Sequence, residues 1–200
     1  MVRIKPDESI IGLEGPVYDV DLERGRIRQF ANSIYAFHPA YHKESKPVIP
    51  PTFLIMSGYF YGYILARAPR DSAFGSIDED FTTCADGGQE FVFHGPLPRA
   101  GDPLVASTHM HDFKERQGRR GGRLRIYVTC TQFHTPGGHH VADWFEWNVK
   151  TSPSPVQSLD EARIRDRPYF MKGDPRDQFN AVGFQDWDEL REGEGPGSVV

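Results

Sequence analysis

Apolar and polar positions alternate along four segments of the second half of the chain: about Phe81 to His94, Leu104 to Glu115, Arg123 to His134 and His140 to Thr151. In the third, Leu124, Ile126, Val128 and Cys130 alternate with Arg125, Tyr127, Thr129 and Thr131, the period of strands with one face on a core. The stretches Gln117 to Gly122 and Pro136-Gly137-Gly138 read as hairpin turns between consecutive runs. In the first run Gln89, Phe91 and Phe93 share one face, and Glu90, Val92 and His94 the other. Pro96 and Pro98 then remove backbone donors, and Gly101-Asp102 turns the chain into the next strand.

The first half has a different period. Residues 1–16 read as an irregular lead-in, and Val17 to Val20 as a short strand. Leu22, Ile27, Phe30, Ala31 and Ile34 recur at helical spacing, with Asp21 at the N-cap position and His38-Pro39 as the stop. Tyr41 to Pro51 reads as a loop. From Thr52 to Ala68 the chain is apolar on nearly every face, which predicts one long helix buried on most sides. Gly58 and Gly62 share a stripe of that helix and let a neighbour approach closely. A strand meander closing over one long helix is an α+β arrangement.

Residues 153–200 hold many glycines and prolines, yet Phe170, Phe179, Phe184 and Trp187 require burial. The segment is expected to be an extended C-terminal arm that docks on a second subunit. The net charge of −5 lacks the clustered basic footprint of a nucleic-acid binder. Arg116, Arg119, Arg120, Arg123 and Arg125 do cluster, as a solvated hairpin tip or as a phosphate site. Two cysteines, Cys84 and Cys130, form no metal motif, and Cys130 reads as a buried thiol. With no apolar leader and no run of membrane-spanning length, the chain reads as cytoplasmic, without a membrane partner.

The element His94-Gly-Pro-Leu-Pro-Arg-Ala-Gly-Asp-Pro-Leu104, following the apolar helix, resembles the MaoC-like hot-dog acyl dehydratases and hydratases. The resemblance covers residues 17–150 and implies a hot-dog fold over 17–152, a central helix wrapped by a bent antiparallel sheet. Active members carry a loop Asp-x-Asn-Pro-x-His-x-Asp after a helix ending in Phe-Ala, and its Asp and His activate water. Here Phe30-Ala31 is followed by Asn32 to Lys43, and aligning the proline on Pro39 puts Ala36 at the Asp position and Tyr41 at the His position. Alanine takes no proton, and a phenol titrating near ~10 is a poor base at neutral pH.

This pattern, with Pro50-Pro-Thr-Phe53 opening the helix, resembles the N-terminal, non-catalytic half of double-hot-dog hydratases and the substrate-binding subunit of two-subunit dehydratases. The implied function is an enoyl-CoA hydratase or dehydratase component that binds the acyl thioester. The second hot-dog subunit, a different polypeptide or a copy of the chain, would supply the Asp and His. No cofactor is expected beyond the coenzyme A thioester itself. Tyr35, His42, Phe53, Gly58, Arg119 and Arg123 are the expected substrate-binding residues. A chain acting alone as hydratase or cyclase would use His38 with Tyr41, and a third reading is a purely structural subunit. The tail Gly183 to Pro196 resembles the lead-in to the second hot dog of fused members.

The remaining polar residues have plainer readings. His109 and His111 share a strand face without a third ligand, His139-His140 belongs to a turn, and no metal is expected. His94 is expected to hold its strand end by a hydrogen bond; a catalytic role would need a carboxylate in reach. Asp86 and Glu90 read as solvated acids. Trp144, Phe145 and Trp147 alternate faces, as packing or as an acyl tunnel.

Overall fold

A computed structural model describes residues 3–118 and 122–152; the expected C-terminal arm and Arg119 lie outside the described residues. The alternating runs become strands β1 (Glu14–Asp21), β2 (Ala85–Phe93), β3 (Pro103–Gln117), β4 (Arg123–His134) and β5 (His140–Thr151). They form one antiparallel sheet in the order β1-β3-β4-β5-β2. With the short helices packed on one face, this is the expected α+β hot-dog arrangement.

Register sorts the inner face into rows. Ala106, Phe133, Ala142 and Phe93 lie side by side, followed by Thr108, Thr131, Trp144 and Phe91, then Met110, Thr129, Glu146 and Gln89. The core is accordingly double. One apolar cluster gathers Leu22, Ile27, Ile49, Phe53, Leu54, Phe133 and Trp144. The other gathers Ile10, Leu65, Phe74, Phe81, Met110, Phe113 and Tyr127. Thr108, Thr131, Thr129 and Glu146, all buried, come between the two along the strands.

Several boundaries differ from expectation for identifiable reasons. β1 begins at Glu14, inside the expected lead-in, because it pairs with β3 along most of its length. Asp21 is not a helix cap: it ends β1 opposite Pro103, and helix α1 (Arg24–Ser33) starts after Glu23. α1 stops at Ser33, before His38-Pro39, and Pro39 instead opens a one-turn helix α2 (Pro39–His42) inside the expected loop. Residues Phe81–Thr83 form a 3-10 turn, capped by Asp80, whose carboxylate accepts from Thr82 N at 3.1 Å.

The long central helix is the main correction. Regular helix α3 covers only Ile55–Phe60, and the chain resumes as a 3-10 turn at Leu65–Arg67. The two glycines explain the break. A Cβ on Gly58 would stand 3.2 Å from the Trp144 indole, and one on Gly62 would stand 2.2 Å from the Tyr18 ring. The backbone therefore leaves the helix to seat Gly62 against Tyr18, and Leu65 drops into the second cluster. Phe53, Leu54, Ser57 and Gly58 are buried, whereas Tyr59 and Phe60 are exposed.

The Pro-Leu-Pro-Arg-Ala-Gly-Asp element ties the loops to this frame. Ile49 N donates to Pro98 O (3.0 Å), Ala100 N to Pro47 O (2.9 Å) and Gly101 N to Leu22 O (2.9 Å). Gly101 has φ +84°, which an L side chain rarely adopts.

Gly62→Ala is expected to destabilise the protein by about 1–3 kcal/mol through overpacking against Tyr18. Gly25→Ala, with open space around its Cβ on α1, is expected to stabilise it by about 0.5 kcal/mol. Urea midpoints at unchanged m-value check both.

Candidate functional site

The loop where active relatives of the resembled family keep their acid and base is held by its own contacts. Tyr35, at the end of α1, has φ 56°, a left-handed turn that swings Ala36 and Phe37 away from the helix axis. His38 caps α2: its Nδ1 accepts from Ala40 N at 3.3 Å. Because Nδ1 is the acceptor, the proton of the neutral ring sits on Nε2, so that nitrogen donates and is not a base. His42 Nε2 donates to the Ala36 carbonyl (3.0 Å), closing the loop across six residues. The His38 and Tyr41 rings meet edge to face at 6.1 Å, and Phe37 stacks on His42 at 6.5 Å. Among the described residues no carboxylate forms a hydrogen bond or ion pair with His38.

The other expected site residues are scattered. Phe53 is buried, with its ring edge on Phe30 at 5.4 Å. The space above Gly58 is filled by Trp144 and Ile64, so its close approach is used within the protein. Arg123 lies at the far end of β4 from Phe133, roughly 33 Å along the strand at ~3.3 Å per residue. It pairs with Glu115 at 3.7 Å. Arg125, expected at the solvated tip, is a structural residue: it donates to Glu115 and to Glu79, both at 2.8 Å, and Tyr127 OH donates to Glu79 at 2.8 Å. The basic cluster is thus partly neutralised by its own acids.

Two groups escaped the sequence reading. The first is the polar row between the apolar clusters. Thr108 and Thr131 hydroxyls bond at 2.9 Å, Tyr18 OH meets Ser57 Oγ at 3.3 Å, and Trp144 Nε1 donates to Gln89 Oε1. Beside them lies Glu146, 7% exposed. Burial raises its carboxyl above the ordinary value, against the opposing pull of Asn148, Gln89 and Thr129. Burial likewise raises the Tyr18 phenol, and it raises that of Tyr59, which also feels the Glu146 charge. A carboxyl so placed holds a proton more readily than a solvated one. Neither of two surface recesses, about 610 and 440 Å³, is lined by Glu146 or by the residues 36–43.

The second group surrounds His94. It does bond at its strand end, and its partner is a carboxylate: Nε2 lies 2.8 Å from Asp143 Oδ2, while His140 Nε2 lies 2.8 Å from Oδ1. His109 and His111 are neighbours at 5.9 Å, and His111 packs on Phe145 at 5.0 Å. Cys130 is buried in β4, and desolvation pushes its thiol up to about 12, so it is not a nucleophile.

With the fold and these positions in place, comparison with known proteins is informative. The family model described as "FAS1-like, dehydratase domain region" matches residues 9–144. The chain belongs to that family, and its fold is the hot-dog fold of the MaoC-like dehydratases. Among solved structures it is similar to the C-terminally truncated HadBC (3R-hydroxyacyl-ACP dehydratase) complex of Mycobacterium tuberculosis. That likeness has a TM-score of 0.52 and 23% identity over 70% of this chain and 99% of that one. The ChsH1–ChsH2 complex of the same organism gives 0.52 and 16% over 70% and 88%. A MaoC-like dehydratase gives 0.57 and 17% over 78% of this chain and 47% of that protein, of which the chain spans about half. These structures share the fold. A search among curated proteins finds no match. Among the described residues no helix is long and apolar enough to cross a membrane.

Glu146 makes stability depend on pH. A carboxyl raised on folding contributes stability that is fully present below its ordinary value and is lost as pH rises through the raised one. Glu146→Gln removes that loss. The variant is expected to melt a few degrees above the parent at pH 8, with the gap closing below about pH 4. A gap that is flat with pH, or that widens on acidification, contradicts the assignment.

Proposed function

We propose that this chain is the acyl-thioester-binding component of a hot-dog hydratase/dehydratase, and that a second hot-dog subunit supplies the catalytic Asp and His. The carrying observation is the loop 36–43. Ala36 and Tyr41 occupy the two catalytic positions, and the nearby imidazoles are engaged in holding the loop. Adding water to an enoyl thioester needs a base to activate the water and an acid for the α-carbon, and such a pair contributes typically 10²–10⁴-fold. A loop without them is suited to contact and positioning.

Two features support a partner. The structures of HadBC and ChsH1–ChsH2 are complexes, each of two components by name. In this chain Tyr59 and Phe60 leave an aromatic face of α3 exposed, beside Arg26, whose guanidinium stacks 4.1 Å above Phe60. That face offers apolar surface to a second subunit or to an acyl chain. The substrate is an acyl thioester, with acyl-CoA as the expected form.

Purified alone, the chain is expected to show no hydration of an enoyl-CoA above background. Co-expressed with a hot-dog polypeptide carrying an intact Asp-x-Asn-Pro-x-His loop, it is expected to form a stable complex that turns the substrate over. Hydration by the chain alone, abolished in His38→Ala, overturns the proposal in favour of a self-sufficient enzyme. Full activity of the other polypeptide alone reduces this chain to a stabilising subunit.

A further inference from the structure

The outer face of the sheet carries a side-chain cluster that the hydratase reading does not use. Strand pairing assembles it: β2 ends at Phe93 opposite Ala142, so His94 follows opposite Val141, diagonal to Asp143, and Gln132, near the end of β4, lies directly opposite Asp143. A bulge between Phe133 and His134 then pairs His134 with His140. Bulges at strand ends re-aim side chains, and here two imidazoles meet one carboxylate while the third stacks on His140. The His94 and His140 rings are 4.1 Å apart, and those of His134 and His140 stack at 4.6 Å.

Asp143 is ionised. Burial pushes its carboxyl up, but hydrogen bonds from His94 and His140 outweigh this and hold it below the ordinary value. Since the carboxylate oxygens only accept, both Nε2 atoms donate to it, one to each oxygen. Gln132 Nε2 lies 3.4 Å from Oδ1, placed to steady the carboxylate from behind.

We propose that His94, His140 and Asp143 form a binding site for a divalent transition-metal ion of the zinc type, which clips the end of β2 to β5. The donor set is the imidazole-plus-carboxylate combination that suits Zn²⁺, Co²⁺ and Ni²⁺. The three ligand atoms lie within 4.8 Å of one another. Bonds of ~2.0 Å in tetrahedral geometry put ligand atoms about 3.3 Å apart, so the two Nε2–O distances of 2.8 Å need to open by only about 0.5 Å. The ion takes the place of the two Nε2 protons that now bridge to the carboxylate, and each ring, bound as a neutral imidazole, carries its proton on Nδ1 instead. His94 and His140 are each about one-third exposed and Asp143 13%, so the site is open to an entering ion but anchored beneath. Three protein ligands leave a fourth position for water. The site is separate from the loop 36–43, and its failure leaves the proposed function untouched.

The test is titration of the tag-free full chain with Co²⁺, followed by its visible absorption, and with Zn²⁺ by calorimetry and elemental analysis. One ion per chain is expected, with Zn²⁺ displacing Co²⁺. Asp143→Asn and His140→Ala are each expected to weaken binding by more than about 100-fold, and Gln132→Ala by about 10- to 100-fold, as for outer-shell partners. His111→Ala, on the neighbouring β3, is expected to leave binding unchanged. If Asp143→Asn fails to fold, the more exposed His94→Gln takes its place. Absence of stoichiometric binding, or binding indifferent to these ligand substitutions, overturns the site and leaves a hydrogen-bonded His–Asp–His clip.

Discussion

The seating of α3 and the turn that follows it on the sheet, through Gly58 and Gly62, is the contact on which the rest of this structure depends. Two missing side chains bring the helix backbone down onto Trp144 and Tyr18. At that depth Tyr18 OH reaches Ser57, Trp144 reaches Gln89, and the polar row of Thr108, Thr131, Thr129 and Glu146 is sealed from water. The close approach also ends the helix after Phe60, so the chain can turn Leu65 into the second apolar cluster. A longer, straighter helix would cover the first cluster and leave the second without its lid. The buried polar row is satisfied mainly by hydroxyl and amide partners, while the lone carboxyl there bears the cost of desolvation.

Much of this was legible in the sequence because strand alternation and turn chemistry are local. Arg123–His134 and His140–Thr151 run as the alternation of Leu124 to Cys130 and the Pro136-Gly-Gly turn require. The inward set of Gln89, Phe91 and Phe93 was readable for the same reason. The helix length was not, because hydropathy reports that Thr52–Ala68 is apolar, and not that Tyr18, some forty positions earlier, presses on Gly62. Asp21 failed as a cap because β1 extends through it to pair with Pro103, a tertiary constraint that overrides a local preference. Glu146 and the His94–Asp143–His140 cluster were hidden for a deeper reason. Their partners are set by register across β2, β4 and β5, with His94 and Asp143 49 positions apart.

The candidate catalytic loop keeps its place in the family fold with other residues at the two proton-transfer positions. Alanine at 36 takes no proton, and the Tyr41 phenol is a poor base at neutral pH. The geometry adds what residue identity alone lacks: His38 Nδ1 is an acceptor for Ala40 N–H, and His42 spans the loop to the Ala36 carbonyl. Both imidazoles are consumed in shaping the backbone. Tyr59 and Phe60 leave apolar surface uncovered on α3, the face that the proposed function assigns to an acyl chain or a second subunit. The proposed metal clip belongs to the opposite, outer face of the sheet, where it would fix a strand end without touching this loop.

On the proposed division of labour, proton transfer does not pass through this chain's loop. Steady-state enoyl-CoA hydration by the assembled two-component enzyme, with His38→Ala and Tyr41→Phe combined in this chain, tests it most directly. A kcat within about threefold of the parent is expected, with any loss confined to KM as for removed binding contacts. A fall in kcat of about 100-fold or more, the scale of a lost general base, would contradict it.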